Sequence, residues 1–214
     1  MFTSYRERKS LTEKPSKLVV LLHGVGSNSD DMIELVPYFQ EFMPDANFIS
    51  PNGIEPYDLA PYGHQWFSVQ DRSLKGMQLE LARTHLTLKR HMKAHLMALE
   101  LDYNDLIVIG FSQGVMAGLY AVVTNNLPIA GFIGFGGSFI PPAHDIKVID
   151  KTPICLIHGE KDEVLPLDYM DKSTMLLRNY GLVVETHIIP NLAHSIDYAG
   201  IQAAIAFIKK HCYN

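Results

Sequence analysis

The chain has 214 residues, 19% of them charged and 47% hydrophobic, and a formal net charge of -5 with a pI near 6.0. That is enough for one domain, residues 1–214, with a core of its own, and the composition is far from that of a disordered segment. The acidic balance argues against a nucleic-acid-binding protein, because phosphate recognition needs clustered Lys and Arg.

The first 17 residues carry charges throughout and hold no apolar leader, and no later segment reaches the ~18 apolar residues that a membrane-spanning helix needs. A chain with no export signal and no integral membrane segment is expected in the cytoplasm. Arg6, Arg8 and Lys9 form the one dense basic stretch, read as a solvated face.

An apolar run at 17–23 has strand length and leads into a glycine-containing loop, Leu22-His23-Gly24-Val25-Gly26. After Ser29 a helix is expected to open on Asp30 and Asp31, with Pro37 kinking or restarting it. A second strand at 47–50 precedes a long irregular stretch, 51–73, in which Pro51, Gly53, Pro56, Pro61 and Gly63 interrupt Tyr57, Tyr62, Trp66 and Phe67. Loops of this length are either active-site lids or plain surface excursions. Met77, Leu81, Leu88, Met92, Leu96 and Leu99 then recur at helical spacing. His91 and His95 lie four apart on that helix, but the glutamate of a zinc-binding H-E-x-x-H is missing and no third ligand accompanies them, so no metal is expected.

Further apolar runs at 106–111, 129–135, 154–158 and 183–189 alternate with helical segments, the last built on Ile201, Ile205 and Ile208. Continuous apolar strands separated by helices are what a mostly parallel sheet covered on both faces produces, so the fold class is α/β. Cys155, inside an apolar run, reads as a buried structural thiol and Cys212 as a surface one, with no disulfide between them and a reducing compartment.

The chemistry is concentrated in Gly110-Phe111-Ser112-Gln113-Gly114, which matches G-x-S-x-G and stands between an apolar strand and a helix opening on small Gly114, Ala117 and Gly118. In that setting Ser112 is a candidate nucleophile; a helix N-cap is the alternative for the serine taken alone. A serine hydroxyl is a weak nucleophile until a base takes its proton and an acid orients that base. Hydrolases with this elbow place the acid and then the base downstream, in loops that follow strands. Here the run at 154–158 leads to Asp162, with Glu160 and Glu163 as local competitors, and the run at 183–189 leads to His194. His158 and His187, within strands, read as packing residues rather than bases. The backbone N-H groups of Val25 and Gln113 are candidates for the oxyanion hole. Gly24 and Gly26 lack the context of a dinucleotide fingerprint or a P-loop, and no cofactor is expected.

Together with Gln65-Trp66-Phe67, Gly136-Gly137-Ser138, and His158-Gly159 followed by Val164 and Pro166, these motifs resemble the phospholipase/carboxylesterase family, small α/β-hydrolases related to acyl-protein thioesterases. The likeness runs from about 17 to 208. It implies an α/β-hydrolase fold, a triad of Ser112, Asp162 and His194, an oxyanion hole from Val25 and Gln113, and a substrate-side role for Gly24 and the loop of Trp66 and Phe67. Two residues depart from the family's pattern: Val115 stands where a further glycine is frequent, and Ala193 precedes His194 where Gly is usual, which bears on the loop that aims the histidine.

The expected function is hydrolysis of carboxylic esters or thioesters, on small molecules or acylated proteins, with no cofactor and no separate cap domain. A lysophospholipase or a small serine peptidase on the same scaffold is the enzymatic alternative, and a catalytically inactive hydrolase-like binding protein the non-enzymatic one. The oligomeric state is left open, a homodimer included.

Overall fold

All six apolar runs become strands, and their order in space follows from how helices cross between them. The computed structural model describes residues 2 and 4–213. In chain order the elements are β1 (Tyr5–Arg8), β2 (Lys17–Leu22), α1 (Ser29–Ile33), α2 (Val36–Gln40), β3 (Ala46–Pro51), β4 (Glu55–Pro56), β5 (His64–Gln65) and α3 (Leu74–Ala98). They continue with β6 (Leu106–Phe111), α4 (Gln113–Thr124), β7 (Gly131–Phe135), β8 (Ile154–Gly159), α5 (Asp168–Asn179), β9 (Val184–Ile189) and α6 (Tyr198–His211).

Seven strands form one sheet in the order β1-β3-β2-β6-β7-β8-β9, parallel throughout except for β1, which pairs antiparallel with β3. Alternate side chains of each strand point to opposite faces, so the core has two halves. On one face Leu18, Val20, Leu22, Val108, Phe132 and Leu156 meet residues of α3, α4 and α5, including Leu88, Met92, Leu119 and Leu177. On the other, Val19, Leu21, Ile107, Ile109, Ile133 and Ile157 meet Phe39 of α2 and Ile201, Ile205 and Ile208 of α6. Fully burying one such side chain contributes about 1.5–3 kcal/mol, and strands covered on both faces collect that at every position.

Pro37 restarts the helix as expected: α1 stops at Ile33, and α2 takes the proline in its first turn, where its missing N-H costs no hydrogen bond. Stretch 51–73 is mostly irregular but pairs with itself in a short hairpin, β4 with β5, rather than forming a separate cap. Ser73 begins α3 by accepting the Gly76 N-H at 3.1 Å.

Two expectations need correction, and one strand was not foreseen. The basic stretch at 6–9 is solvent-exposed as expected, but most of it is strand β1, whose ladder to β3 is made by backbone while its side chains stay exposed. Cys212 is buried, because α6 runs on to His211 and lays its last turn across the start of β7, with the thiol 3.5 Å from the Ala130 carbonyl oxygen. Burial pushes both thiols, Cys155 and Cys212, up to about 12. The run 183–189 is an edge strand with alternating exposure rather than a fully buried one.

His91 and His95 serve the N-terminal segment: Phe2 stacks on both rings, with centroids 4.7 and 5.6 Å away, and its N-H bonds to His95 Nε2. Among the described residues no group of three or more His, Cys, Asp or Glu is placed to hold a metal ion, and no helix is long and apolar enough to cross a membrane.

Candidate active site

Parallel sheets place their sites at the carboxyl ends of strands, where the chain's direction of winding reverses. Here the chain passes from β2 outward to β3 and then returns across β2 to β6, so the reversal falls between β2 and β6. Loop 23–28 leaves β2 at that point, and Ser112 follows β6 there.

Ser112 sits on a tight turn with φ 51° and ψ -115°, a left-handed conformation for a residue with a side chain. Such backbone is strained by about 1–3 kcal/mol and persists only where its surroundings hold it. Ser112 N-H donates to the Phe135 carbonyl at 2.9 Å, tying the turn to β7. Gly114 lets α4 press against β2, because a methyl group there would stand 2.2 Å from the Leu22 carbonyl oxygen. Val115 is buried and fills the space over Gly134 and Gly137, where a Cβ would meet its side chain at 2.8 and 2.3 Å. The bulk that departs from the family's pattern is thus accommodated by glycines of β7 and its loop.

Asp162 and His194 reach the serine from the ends of β8 and β9. His194 Nε2 lies 3.0 Å from Ser112 Oγ, and His194 Nδ1 lies 2.7 Å from Asp162 Oδ2. Since a carboxylate only accepts, Nδ1 carries the hydrogen, which leaves the Nε2 lone pair to accept from the Ser112 hydroxyl. The Asp162 carboxylate is fully buried. Its Oδ1 accepts the Val164 and Leu165 N-H groups at 2.9 and 2.8 Å, so the turn itself fixes the acid. The competing carboxylates are elsewhere: Glu163 is exposed, and Glu160 accepts the Asn191 N-H at 3.0 Å. Phe111 packs on the His194 ring, centroids 4.9 Å apart.

Ala193 does not disturb this arrangement. It is exposed, and the left-handed residue of its loop is Asn191, at φ 60°, so no glycine is required at 193. The close approach falls instead on Gly159, where a Cβ would stand 2.4 Å from the Ala193 carbonyl oxygen.

The two candidate oxyanion donors belong to loop 23–28 and to the start of α4. Gln113 is the first residue of α4, where a helix leaves its N-H groups without intrahelical partners. Gly24, which precedes Val25, is buried beside Ser112, and a methyl on it would stand 3.4 Å from the Ser112 Cβ. The loop is anchored by His23, whose Nδ1-H donates to the Gly24 carbonyl at 2.7 Å while its Nε2 accepts the Gly53 N-H at 2.8 Å. Burial holds His23 neutral, with its pKa lowered to about 4.

Trp66 and Phe67, expected on the substrate side, are instead core residues at 1% and 0% exposure. The Trp66 indole N-H donates to the His23 carbonyl at 2.8 Å, and the Gln113 side chain binds the backbone of both residues. Their aromatic surface is used in packing.

Sequence reasoning missed two participants. His158 was read as a packing residue, and it is buried, yet its Nε2 lies 2.6 Å from the Leu165 carbonyl oxygen and 3.3 Å from Asp162 Oδ2, beside the acid. Its four-residue spacing from Asp162 was the available signal. The Gln113 side chain was the other, and nothing local in the sequence pointed to its partners, 46 and 47 residues away.

The chain is similar to known esterases and thioesterases along most of its length. An esterase of Escherichia coli, YpfH, is 30% identical over 198 residues, covering 92% of this chain and 84% of its own. The acyl-protein thioesterase 1 of Saccharomyces cerevisiae is 27% identical, with 90% and 91% covered. A protein of Oryza sativa subsp. japonica named "probable inactive carboxylesterase" is 23% identical, with 91% and 84% covered. Among solved structures, esterase PE8 superposes with a TM-score of 0.89 at 28% identity, over 97% of this chain and 98% of that one. A family model described as phospholipase/carboxylesterase matches residues 6–212, and the chain belongs to that family.

Proposed function

We propose that the protein hydrolyses carboxylic esters or thioesters through an acyl-enzyme on Ser112. The observation that carries this reading is the unbroken hydrogen-bond chain from Ser112 Oγ through His194 to Asp162, at 3.0 and 2.7 Å. Ser112 Oγ attacks the acyl carbonyl as its proton passes to His194 Nε2, and the buried Asp162 carboxylate stabilises the imidazolium. The oxyanion that forms accepts the N-H groups of Val25 and Gln113. Collapse expels the alcohol or thiol, which takes the proton from His194. Water then enters, loses a proton to the same nitrogen and releases the acid, restoring Ser112. No step draws on a cofactor. Substrates are small esters or the acyl groups of acylated proteins, which an open site without a cap admits. The two free, buried cysteines support placing this activity in the reducing cytoplasm.

The test is hydrolysis of p-nitrophenyl acetate. Ser112→Ala is expected to abolish turnover, and Asp162→Asn, which leaves the histidine in the wrong tautomer, to lower kcat by up to ~10⁴-fold. Unchanged turnover in Ser112→Ala ends the proposal.

A second reading, an inactive protein that keeps the fold, is favoured by the name of the Oryza relative. A fluorophosphonate probe separates the two: an active enzyme is labelled at Ser112, an inactive one is not.

A further inference from the structure

We infer that the Gln113 side chain and Trp66 are positioning residues that hold the two oxyanion donors at a fixed separation, an inference that rests on the serine mechanism proposed above. Gln113 has two ends with different tasks. Its backbone N-H belongs to the first turn of α4, next to Ser112, whereas its side chain, on a residue only 3% exposed, grips the chain at 66 and 67. Gln113 Oε1 accepts the Trp66 N-H at 2.9 Å, and Gln113 Nε2 donates to the Phe67 carbonyl at 2.7 Å. From there the Trp66 indole reaches the other way, its Nε1-H donating to the His23 carbonyl at 2.8 Å. That carbonyl opens the loop carrying Gly24 and Val25.

The result is a continuous path, Gln113 to Trp66 to His23, linking one donor to the other without passing through the sheet. Every member is buried. Loop 24–28 has little regular structure, and Gly24 has no side chain with which to anchor itself. Donors aimed at an oxyanion work only if they are held in place before charge develops. In a water-excluded place a lost hydrogen bond has no solvent substitute, so its partner group is left unpaired and the neighbouring backbone shifts. A brace of this kind acts on the transition state and not on the bound ester.

The experiment uses the full chain with Gln113→Met, Gln113→Glu and Trp66→Phe, each normalised to the serine that a fluorophosphonate titrates. Burst kinetics with p-nitrophenyl butyrate give the acylation rate and the half-saturating concentration. Inhibition by an aryl trifluoromethyl ketone, which adds Ser112 to form a tetrahedral oxyanion, reports on the hole. The acylation rate is expected to fall about 10- to 100-fold and the inhibition constant to rise in proportion, with half-saturation within about twofold. Gln113→Glu keeps an acceptor for the Trp66 N-H but sets a buried carboxylate oxygen against the Phe67 carbonyl, so its loss should be at least as large as that of Gln113→Met. If Gln113→Met does not fold, the other two variants decide.

Rates and inhibition constants all within about twofold of the unmutated protein overturn the brace. So does a rise in half-saturation with the acylation rate unchanged, which would return Trp66 to contact with substrate. An unmutated protein that no fluorophosphonate labels fails the serine mechanism itself, and this inference with it; a labelled one with unaffected variants fails the brace alone.

Discussion

His23 ties the stability of the fold to an ionisation. Its ring donates from Nδ1 and accepts at Nε2, so only the neutral form fits both partners. With its pKa lowered to about 4 from 6.5, the folded state resists a proton that the unfolded chain accepts. Above pH 6.5 both states are neutral and nothing is lost. As the pH falls toward 4 the unfolded state gains the proton first, and stability drops by about 3 kcal/mol in all. Urea midpoints at pH 7 and 4.5 should therefore diverge more in the unmutated protein than in His23→Gln. A second prediction concerns Ala193, which is exposed and has no left-handed backbone. Ala193→Gly should change kcat/KM by less than about twofold and cost a few tenths of a kcal/mol through the freer unfolded chain. At this scale the proposed triad was legible, because a serine elbow followed by an acid and a histidine at strand ends is an ordered pattern along the chain. The fates of Trp66 and Cys212 were not. A tryptophan in a proline-rich loop has the same local sequence whether it covers substrate or braces the core, and only contacts across more than 40 residues decide it.

At the scale of elements, strands buried on both faces announce themselves by continuous apolar runs, and these runs located most of the sheet. Strand β1 escaped because its four residues are all exposed and three of them are charged, so its membership rests on backbone hydrogen bonds that composition does not encode. Helix α3 was visible through its spacing. Leu88, at 3% exposure, faces α4, whereas Leu86, at 52%, faces solvent. Leu88→Ala should cost about 2–5 kcal/mol in urea unfolding and Leu86→Ala less than about 0.5 kcal/mol. The approach of α4 to β2 makes a sharper prediction. Gly114→Ala sets a methyl against the backbone of Leu22, so thermal denaturation should show a loss of about 1–3 kcal/mol, along with reduced turnover as the elbow moves.

Across the whole molecule, the α/β class followed from alternation of strands and helices, while the strand order did not, because crossovers leave no mark on local composition. The order is nevertheless what makes the site. Reversal of winding between β2 and β6 puts the loop after β2 beside the turn after β6. The family shares that plan, which is why relatives at 30% identity and below align over most of the chain.

Strand β9, at the rim of the sheet, carries the loop that aims His194, and it is the last strand along the chain. A chain emerging from the ribosome presents the loop after β2, the Ser112 turn and Asp162 before His194 is made. On the mechanism proposed above, until β9 zips onto β8 the serine has nothing to take its proton. On that mechanism hydrolytic activity reports completion of the sheet: in refolding it should return only once β9 has paired with β8.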